Sequence, residues 1–261
     1  MRRAVIVFLI VSGFAASGQT DNPCPLSSAV TVDGNADEWP MVWVEDGEKT
    51  FSYNVCADEQ NLFVRLRINE FFAKRKTGAF GLTLWIDPSG KKKKKYGLKF
   101  PAGGAEAEER MGQINAEGKP GSSSGEQADY QKKADRMMIA NLEILELIGL
   151  ADDPITATRS GITNGIKVAI DVDPAGAYVY EAIIPFKSYR LSRANISELS
   201  VGFETGKMVP PKQKSTAKNP ATAQGDLTPS QLSRMQGYQG MQGNPKLLYS
   251  SDVWTKLVLK K

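Results

Sequence analysis

Short runs in which apolar and polar residues alternate recur along the chain and predict β-strands. In Leu62–Ile68, LFVRLRI, the alternation gives two different faces, as in an antiparallel strand with one solvated side. One face carries Leu62, Val64, Leu66 and Ile68, and the other carries Phe63, Arg65 and Arg67. Similar composition predicts further strands at Phe51–Val55, Ala79–Ile86, Tyr96–Phe100, Gly165–Val172, Ala177–Pro185, Leu199–Thr205 and Val253–Leu259.

The segments between these runs have turn chemistry that favours antiparallel pairing. Asp173-Pro174-Ala175-Gly176 lies between two predicted strands and indicates a hairpin. Leu142–Leu150, LEILELIGL, fits a helix or a strand; we favour a strand, with any helix upstream and short. Repeated short strands predict an all-β fold, an antiparallel β-sandwich of jelly-roll-like form with at most a short helix.

The chain begins with features of a secretory signal peptide. Arg2 and Arg3 precede a short apolar run, and small residues at Ala16 and Gly18 suit cleavage after residue 18. The run is too short to span a bilayer, so no stable membrane insertion is expected after cleavage. We expect an exported protein, periplasmic, at the cell surface or secreted, with residues 19–261 forming a single domain.

Two stretches interrupt the strand pattern and are predicted to be flexible insertions. Residues 102–128 contain GKPGSSSG and few large apolar side chains. Residues 210–245 are rich in Lys, Gln, Gly and Pro. Such compositions bury too little apolar surface to offset ordering. The stretches are interpreted as surface insertions, or alternatively as a ligand lid or partner-binding arm.

Composition removes several classes of function. The formal net charge is +4, from 33 basic and 29 acidic residues, which gives no support to a nucleic-acid partner. The chain has no histidine, which excludes the Ser-His and Cys-His nucleophile pairs and the commonest metal ligand. The acidic pairs Asp152-Asp153 and Glu108-Glu109 are sequence neighbours, and nothing predicts two acids facing each other across a cleft. The sequence predicts a protein that is not an enzyme and has no cofactor or metal.

The segment TVDGNADEWP at residues 31–40 has the alternating oxygen ligands with which a calcium loop begins. A helix-loop-helix calcium site needs Gly at its sixth position and a bidentate acid at its twelfth. Counted from Asp33, those positions are Glu38 and Val44. The segment is therefore interpreted as a structural turn at Asp33-Gly34, with Trp39 closing one end of the core.

Several motifs together resemble the family-nine carbohydrate-binding modules and their DOMON-like relatives. The resemblance covers most of the chain after residue 18 and is interrupted at the two insertions. It rests on the order of VDGNADEWP, CADEQNLFVRLRI, GLTLWIDPSG, YEAIIPF and GFET. The matching positions are Asp33, Gly34, Asp37 and Trp39, then Asp58, Asn61, Leu62, Phe63 and Val64, and finally Glu181, Ala182, Ile184 and Pro185.

This resemblance implies a β-sandwich of two antiparallel sheets that binds a carbohydrate or cell-surface glycan. Sugar-binding members hold a saccharide between tryptophan faces. Trp39 matches the structural turn and Trp254 is assigned to the terminal strand, which leaves Trp43 and Trp85 as candidate ligand-binding residues. Arg65 and Arg67 are candidates for the polar contacts. The alternatives are that both indoles pack in the core or sheet, and that both arginines lie on a solvated face.

Two other functions remain open from the sequence. Some DOMON-like relatives bind a b-type haem through Met with His or Lys, which would make this chain an electron-transfer module. Candidate methionine ligands are Met41 and Met208, with Met235 and Met241 in the second insertion. Methionine is more often a core filler. The third hypothesis is an interaction or structural protein of the cell envelope.

Five consecutive lysines and two cysteines complete the candidate residues. The lysines lie between two predicted strands, where they would contact a polyanion or protect a sheet edge from aggregation. Cys24 and Cys56 form a disulfide in an oxidising compartment, or are two free thiols. The lysine positions are Lys91, Lys92, Lys93, Lys94 and Lys95.

Overall fold

Two antiparallel sheets form the protein in the computed structural model, as the sequence predicts. The structure describes residues 30–39, 43–104, 107, 109, 124–140, 142–162, 164–209 and 245–259. One sheet has five strands in the order β1-β2-β3-β9-β8, and the other has six in the order β11-β10-β4-β5-β6-β7. The strands are β1 Val44–Glu45, β2 Phe51–Ala57, β3 Asn61–Ile68, β4 Leu82–Asp87, β5 Tyr96–Lys99, β6 Ile144–Ile148, β7 Ile155–Thr158, β8 Lys167–Val172, β9 Tyr178–Pro185, β10 Glu198–Thr205 and β11 Asp252–Val258.

The core lies between the sheets and is built from alternate residues of each strand. Leu62, Val64 and Leu66 of β3 are fully buried, and Leu82 and Leu84 of β4 face them from the six-stranded sheet in the same cluster. Tyr53 and Phe203 join the two layers, with ring centroids 5.9 Å apart. Fully burying one such aliphatic side chain contributes about 1.5–3 kcal/mol. The apolar alternation in the sequence therefore identifies the inner faces correctly.

The predicted hairpin and the predicted strand near residue 142 are both present. β8 and β9 pair through a turn in which the carbonyl of Asp173 accepts the Gly176 N–H at 2.9 Å. Gly176 has φ +85°, a conformation that glycine adopts without strain. Leu142–Leu150 contains β6, which pairs with β5 and β7.

Two α-helices whose full length is described lie outside the sheets, α1 over Phe71–Phe80 and α2 over Ser124–Ile139. The strand expected from Ala79 begins at Leu82, because the preceding residues belong to α1. The sequence pattern misses α1 because its middle carries polar residues that are nevertheless buried. Lys74, 7% exposed, forms a 2.7 Å ion pair with buried Asp135 of α2.

The two predicted insertions fall largely outside the described residues. In the first, residues 124–128 belong to α2, and Ala102 and Ala107 are buried. In the second, residues 210–244 are outside the described part of the chain. The predicted signal peptide, residues 1–18, also lies outside it. Neither described helix has the length and apolarity that a bilayer-spanning helix needs.

Residues 30–39 form an extra layer over the outer face of the five-stranded sheet. The backbone N–H groups of Asp33 and Gly34 donate to Oε2 of Glu181 on β9, at 3.1 and 2.8 Å. Trp39 packs edge-on against Phe63 of β3, with centroids 6.3 Å apart. The outer face of β3 is therefore buried rather than solvated, and Trp39 closes this outer face rather than the end of the main core.

The polar side chains of this segment are used in turns, which settles its structural role. Asp33 Oδ1 accepts the Asn35 N–H at 2.8 Å, and Asn35 Oδ1 accepts the Asp37 N–H at 3.3 Å. Gly34 has φ +93°, and a Cβ there would lie 2.6 Å from the Cβ of Asp171. Within the described residues no group of three or more metal-ligating side chains is found.

We expect Gly34→Ala to lower the free energy of unfolding by about 2–5 kcal/mol. The change adds left-handed backbone strain of about 1–2 kcal/mol to a steric clash of about 1–3 kcal/mol. Gly176→Ala is the matched control, because Gly176 has a similar φ and a Cβ added there would meet nothing within 4 Å. The control variant therefore has the backbone strain without the steric clash. Urea unfolding curves measure both. Equal losses in the two variants would show that the contact with Asp171 is unimportant.

Candidate ligand-binding face

The outer face of the six-stranded sheet carries a row of aromatic, aliphatic and glycine residues. Residues directly opposite one another in an antiparallel sheet project from the same face. Trp254 of β11 lies opposite Gly202 of β10, which lies opposite Trp85 of β4. Trp85 lies opposite Gly97 of β5, which lies opposite Ile148 of β6. The register therefore aligns two indoles and one isoleucine across five strands; we call this row the indole strip.

Both indoles lie flat on the sheet because a glycine occupies the neighbouring position. A Cβ on Gly202 would lie 2.6 Å from the Trp254 ring, and a Cβ on Gly97 would lie 3.0 Å from the Trp85 ring. Glycine inside a strand often marks a close approach of another group to the backbone. Trp85 and Trp254 are both partly exposed. The absence of side chains at Gly202 and Gly97 thus leaves the space that the two indole rings occupy against the backbone.

The rings are spaced at intervals set by the sheet. The Trp254 ring covers β10 and the Trp85 ring covers β5, with β4 between them. Neighbouring strands lie about 4.8 Å apart, so the ring centres are separated by about 10 Å. The strip is therefore a partly exposed apolar surface on the outer face of the sheet.

Glu204 of β10 fixes the edge of the Trp85 ring. Trp85 Nε1 donates to Glu204 Oε2 at 2.7 Å, and Lys94 Nζ contacts Glu204 Oε1 at the same distance. Burial raises the pKa of Glu204, but the hydrogen bonds from Lys94 and Trp85 outweigh burial and hold the pKa below its usual value. An ionised Glu204 thus anchors the indole by its edge.

The five lysines lie in the loop between β4 and β5, next to the strip. All five are exposed, and Lys94 Nζ lies 5.9 Å from the Trp85 ring centroid. β4 pairs with β10 and β5, while β5 pairs with β4 and β6, so neither strand is an edge of its sheet. The interpretation of these lysines as edge protection is therefore wrong, and their contact with a polyanion stays a prediction.

Trp43, Arg65 and Arg67 come together on the opposite side of the sandwich. The guanidinium carbons of Arg65 and Arg67 lie 4.1 and 5.3 Å from the Trp43 ring centroid, on the outer face of the five-stranded sheet. Arg67 also forms a 2.6 Å ion pair with Asp173. Trp43 and Trp85 thus lie on the outer faces of different sheets and cannot contact one small ligand together.

The environment of Arg65 is that of a buried structural group. It is 2% exposed, stacks on Trp43 and lies directly opposite Glu181 in the pairing of β3 with β9. Burial lowers its pKa to about 10, although the charge of Glu181 opposes this effect. These contacts account for Arg65 without a ligand.

Sequence reasoning misses the partner of Trp85. It assigns Trp254 to the terminal strand and does not name it as a ligand-binding candidate, yet the register places Trp254 in the same row as Trp85. The available signal is a glycine inside each of two predicted strands, Gly97 in YGLKF and Gly202 in LSVGFET. Glycine in a strand interior is unfavourable unless another group needs the space.

Two grooves lie elsewhere on the molecule, and both have charged linings. One of about 400 Å³ lies beside the start of α1, and one of about 620 Å³ lies beside β8. Met208 is 7% exposed and lines neither groove, and haem binding through it stays a prediction. Met41, Met235 and Met241 lie outside the described residues. The first groove is lined by Glu48, Thr50, Glu70, Phe72, Lys76, Pro245, Lys246, Tyr249, Ser250 and Ser251.

Cys56 lies on β2 and is buried and disulfide-bonded. Cys24 lies outside the described residues, so pairing of Cys24 with Cys56 stays a prediction.

Comparison with known proteins gives no matching family model and no significant match among curated proteins. The resemblance to family-nine modules therefore rests on the residues quoted above.

The buried Glu181 predicts a pH-dependent stability. Burial raises its pKa from 4.5 to about 7, against the lowering effect of the Gly34 and Asp33 N–H groups. The folded protein then binds more protons than the unfolded chain between these two values, so its stability falls as pH rises from 4.5 to 7. We expect a fall on the order of 3 kcal/mol across this window.

Glu181→Gln keeps a hydrogen-bond acceptor but does not titrate, so this fall is expected to disappear in the variant. Urea unfolding at intervals from pH 4 to pH 8 measures it. Glu59→Gln, a change in an exposed turn, is the control and should keep the wild-type slope. Parallel pH profiles for wild type and Glu181→Gln would contradict the assignment.

Proposed function

We propose that this protein is a non-catalytic glycan-binding β-sandwich and that an extended carbohydrate lies across the indole strip. The observation that carries the proposal is the pair of partly exposed indoles, each laid flat over a strand glycine. The CH faces of pyranose rings are apolar and stack on flat aromatic surfaces. A spacing of about 10 Å, two strand intervals, suits contact with alternate rings of an extended chain.

Polar groups beside the strip can bind the hydroxyl groups of such a chain. The next row of the same face contains Glu204, Thr83, Lys99 and Glu146, which lie opposite one another in successive strands. A few polar groups placed around an apolar surface give a ligand its orientation and specificity. An indole platform with a polar rim therefore supports carbohydrate rather than lipid.

The same residues support binding over catalysis. Glycoside hydrolysis requires one carboxyl group with a raised pKa as general acid and a second carboxylate nearby. Glu204 is the carboxylate that holds Trp85, and its pKa is kept below the usual value by Lys94 and Trp85. A carboxylate fixed in its ionised form suits hydrogen bonding to hydroxyls.

The resemblance to carbohydrate-binding modules and the predicted export agree with this proposal. The candidate pair from the sequence, Trp43 with Trp85, is replaced here by Trp85 with Trp254. The proposal therefore uses a surface that differs from the one expected from the motifs alone. An envelope protein with another kind of partner is the alternative that the following experiment separates.

We expect Trp85→Ala and Trp254→Ala each to weaken glycan binding about tenfold or more, a loss of about 1.4 kcal/mol. Affinity electrophoresis through gels containing neutral and acidic polysaccharides identifies a ligand and compares the variants. Trp43→Ala is the matched control, because it removes an indole from the opposite face of the sandwich. Thermal unfolding verifies that all three variants are folded.

Two outcomes would contradict this function. Glycan binding would be contradicted if the wild-type protein bound none of the polysaccharides in the panel. Binding that survives both strip substitutions but is lost in Trp43→Ala would place the ligand on the other sheet.

A further inference from the structure

We propose that the glycan is an anionic polysaccharide and that the lysine loop, Lys91–Lys95, binds its acidic groups. This inference rests on the proposed function and names the class of ligand for the same face. The loop joins β4 to β5, the strands that carry Trp85 and Gly97. A chain lying on the strip near Trp85 therefore passes within reach of the loop.

The loop is attached to the strip through one shared carboxylate. Glu204 accepts from Trp85 Nε1 with one oxygen and contacts Lys94 Nζ with the other, both at 2.7 Å. The Lys94 ammonium is 5.9 Å from the Trp85 centroid, close to the outer limit for a cation–π contact. It thus borders the indole, and the other lysines extend the positive surface outwards from that point.

A buried aspartate holds the backbone of the loop. Asp87 is fully buried and accepts the N–H groups of Ser89, Lys91 and Lys93 at 3.0, 2.9 and 2.9 Å. These bonds, with one from the Ser89 hydroxyl, outweigh the effect of burial and lower the pKa of Asp87. The carboxylate is therefore ionised at neutral pH. A loop ordered in advance loses less conformational entropy when it binds.

Glycine allows the tight turn that begins the loop. Gly90 has φ +67°, and a Cβ there would lie 2.0 Å from a carboxylate oxygen of Glu198. Lys92 also has a positive φ, +59°. The loop therefore has a defined backbone shape, unlike a flexible basic tail.

The acids near the loop are already paired, which leaves positive charge in excess. In the described part of the chain, Glu204 pairs with Lys94, Glu146 with Lys99 and Glu198 with Lys256. Lys94 is the one member of the loop that forms an ion pair with a described residue. Neighbouring like charges repel, and a bound polyanion would relieve that repulsion.

Lysine suits this ligand class because an ammonium group is a compact charge without a fixed fork geometry. Four mobile ammonium groups can follow acidic groups spaced along a polymer. The apolar strip supplies the sugar contacts, while the loop selects for charge. Carboxylate and sulfate groups both fit, and a panel of polysaccharides separates them.

The decisive variant changes Lys91, Lys92, Lys93 and Lys95 to Ser and keeps Lys94, so that the Glu204 contacts with Trp85 remain. The control changes four exposed lysines elsewhere, Lys132, Lys167, Lys187 and Lys207, to Ser and alters net charge equally. The ligands are alginate, its methyl-esterified form, dextran sulfate and dextran, each tested by affinity electrophoresis at two salt concentrations.

We expect wild type to bind at least one anionic polymer tenfold or more tightly than its neutral counterpart. The loop variant should lose about tenfold on the anionic polymer and stay within twofold of wild type on the neutral one. It should also show a weaker dependence on salt, whereas the control variant should behave as wild type.

Failure of this inference and failure of the proposed function give different results. Equal wild-type affinity for alginate and its ester, and for dextran sulfate and dextran, would overturn the anionic ligand while leaving the strip intact. Loss of anion binding in both four-lysine variants would also overturn it, because net charge alone would then explain retention. Anion binding that is unaffected by Trp85→Ala and Trp254→Ala would overturn the proposed function instead.

Discussion

Side chains of a β-strand alternate between two faces, so each sheet of a sandwich has an outer face that the shared core does not cover. This constraint organises the whole molecule. The inner faces meet in one apolar cluster that includes residues from both sheets. The two outer faces differ: residues 30–39 cover that of the five-stranded sheet, and that of the six-stranded sheet carries the partly exposed indole strip.

The covered face depends on a buried carboxyl group being held by the backbone. Glu181 is fully buried and accepts the N–H groups of Asp33 and Gly34, while Arg65 lies directly opposite it. Removing one partner of such a buried group is costly, because the other is left in a low-dielectric environment. The segment with Trp39 is therefore tied to the sheet by polar contacts as well as by apolar packing. The segment whose sequence first suggests a calcium loop therefore covers the outer face of the five-stranded sheet.

The parts of the fold that depend on local pattern are predictable, and those that depend on distant pairing are not. Alternation identifies the inner face of β3, and turn chemistry identifies the β8–β9 hairpin. Helix α1 escapes prediction because Lys74 is buried in a polar contact with Asp135, so no apolar stripe marks the helix. A sequence pattern cannot anticipate a partner that is supplied by another element.

The candidate site likewise combines a residue that local pattern predicts with a pairing between distant residues that it does not predict. Trp85 is a candidate from the sequence, but its alignment with Trp254 depends on the register of β11, β10 and β4, which joins residues far apart in the chain. Trp43 is a candidate by residue type alone, and Arg65 occupies its ring. The register of the strands places the two indoles in one row, and no local sequence motif encodes that register.

In the proposed function the selectivity comes from charge at the border of the indole strip, since a sheet face does not enclose a ligand. Stacking on an indole discriminates little between one sugar ring and another, because every pyranose has an apolar face. Charged groups beside the ring are more selective, since an acid and its neutral ester differ by a full charge. The loop that could supply this selection is fixed by Asp87 and joined to Trp85 through Glu204. The two glycines beneath the indoles and the carboxylate that orders the lysines therefore act on one surface, and a polymer with regularly spaced negative charges is the ligand that we propose for it.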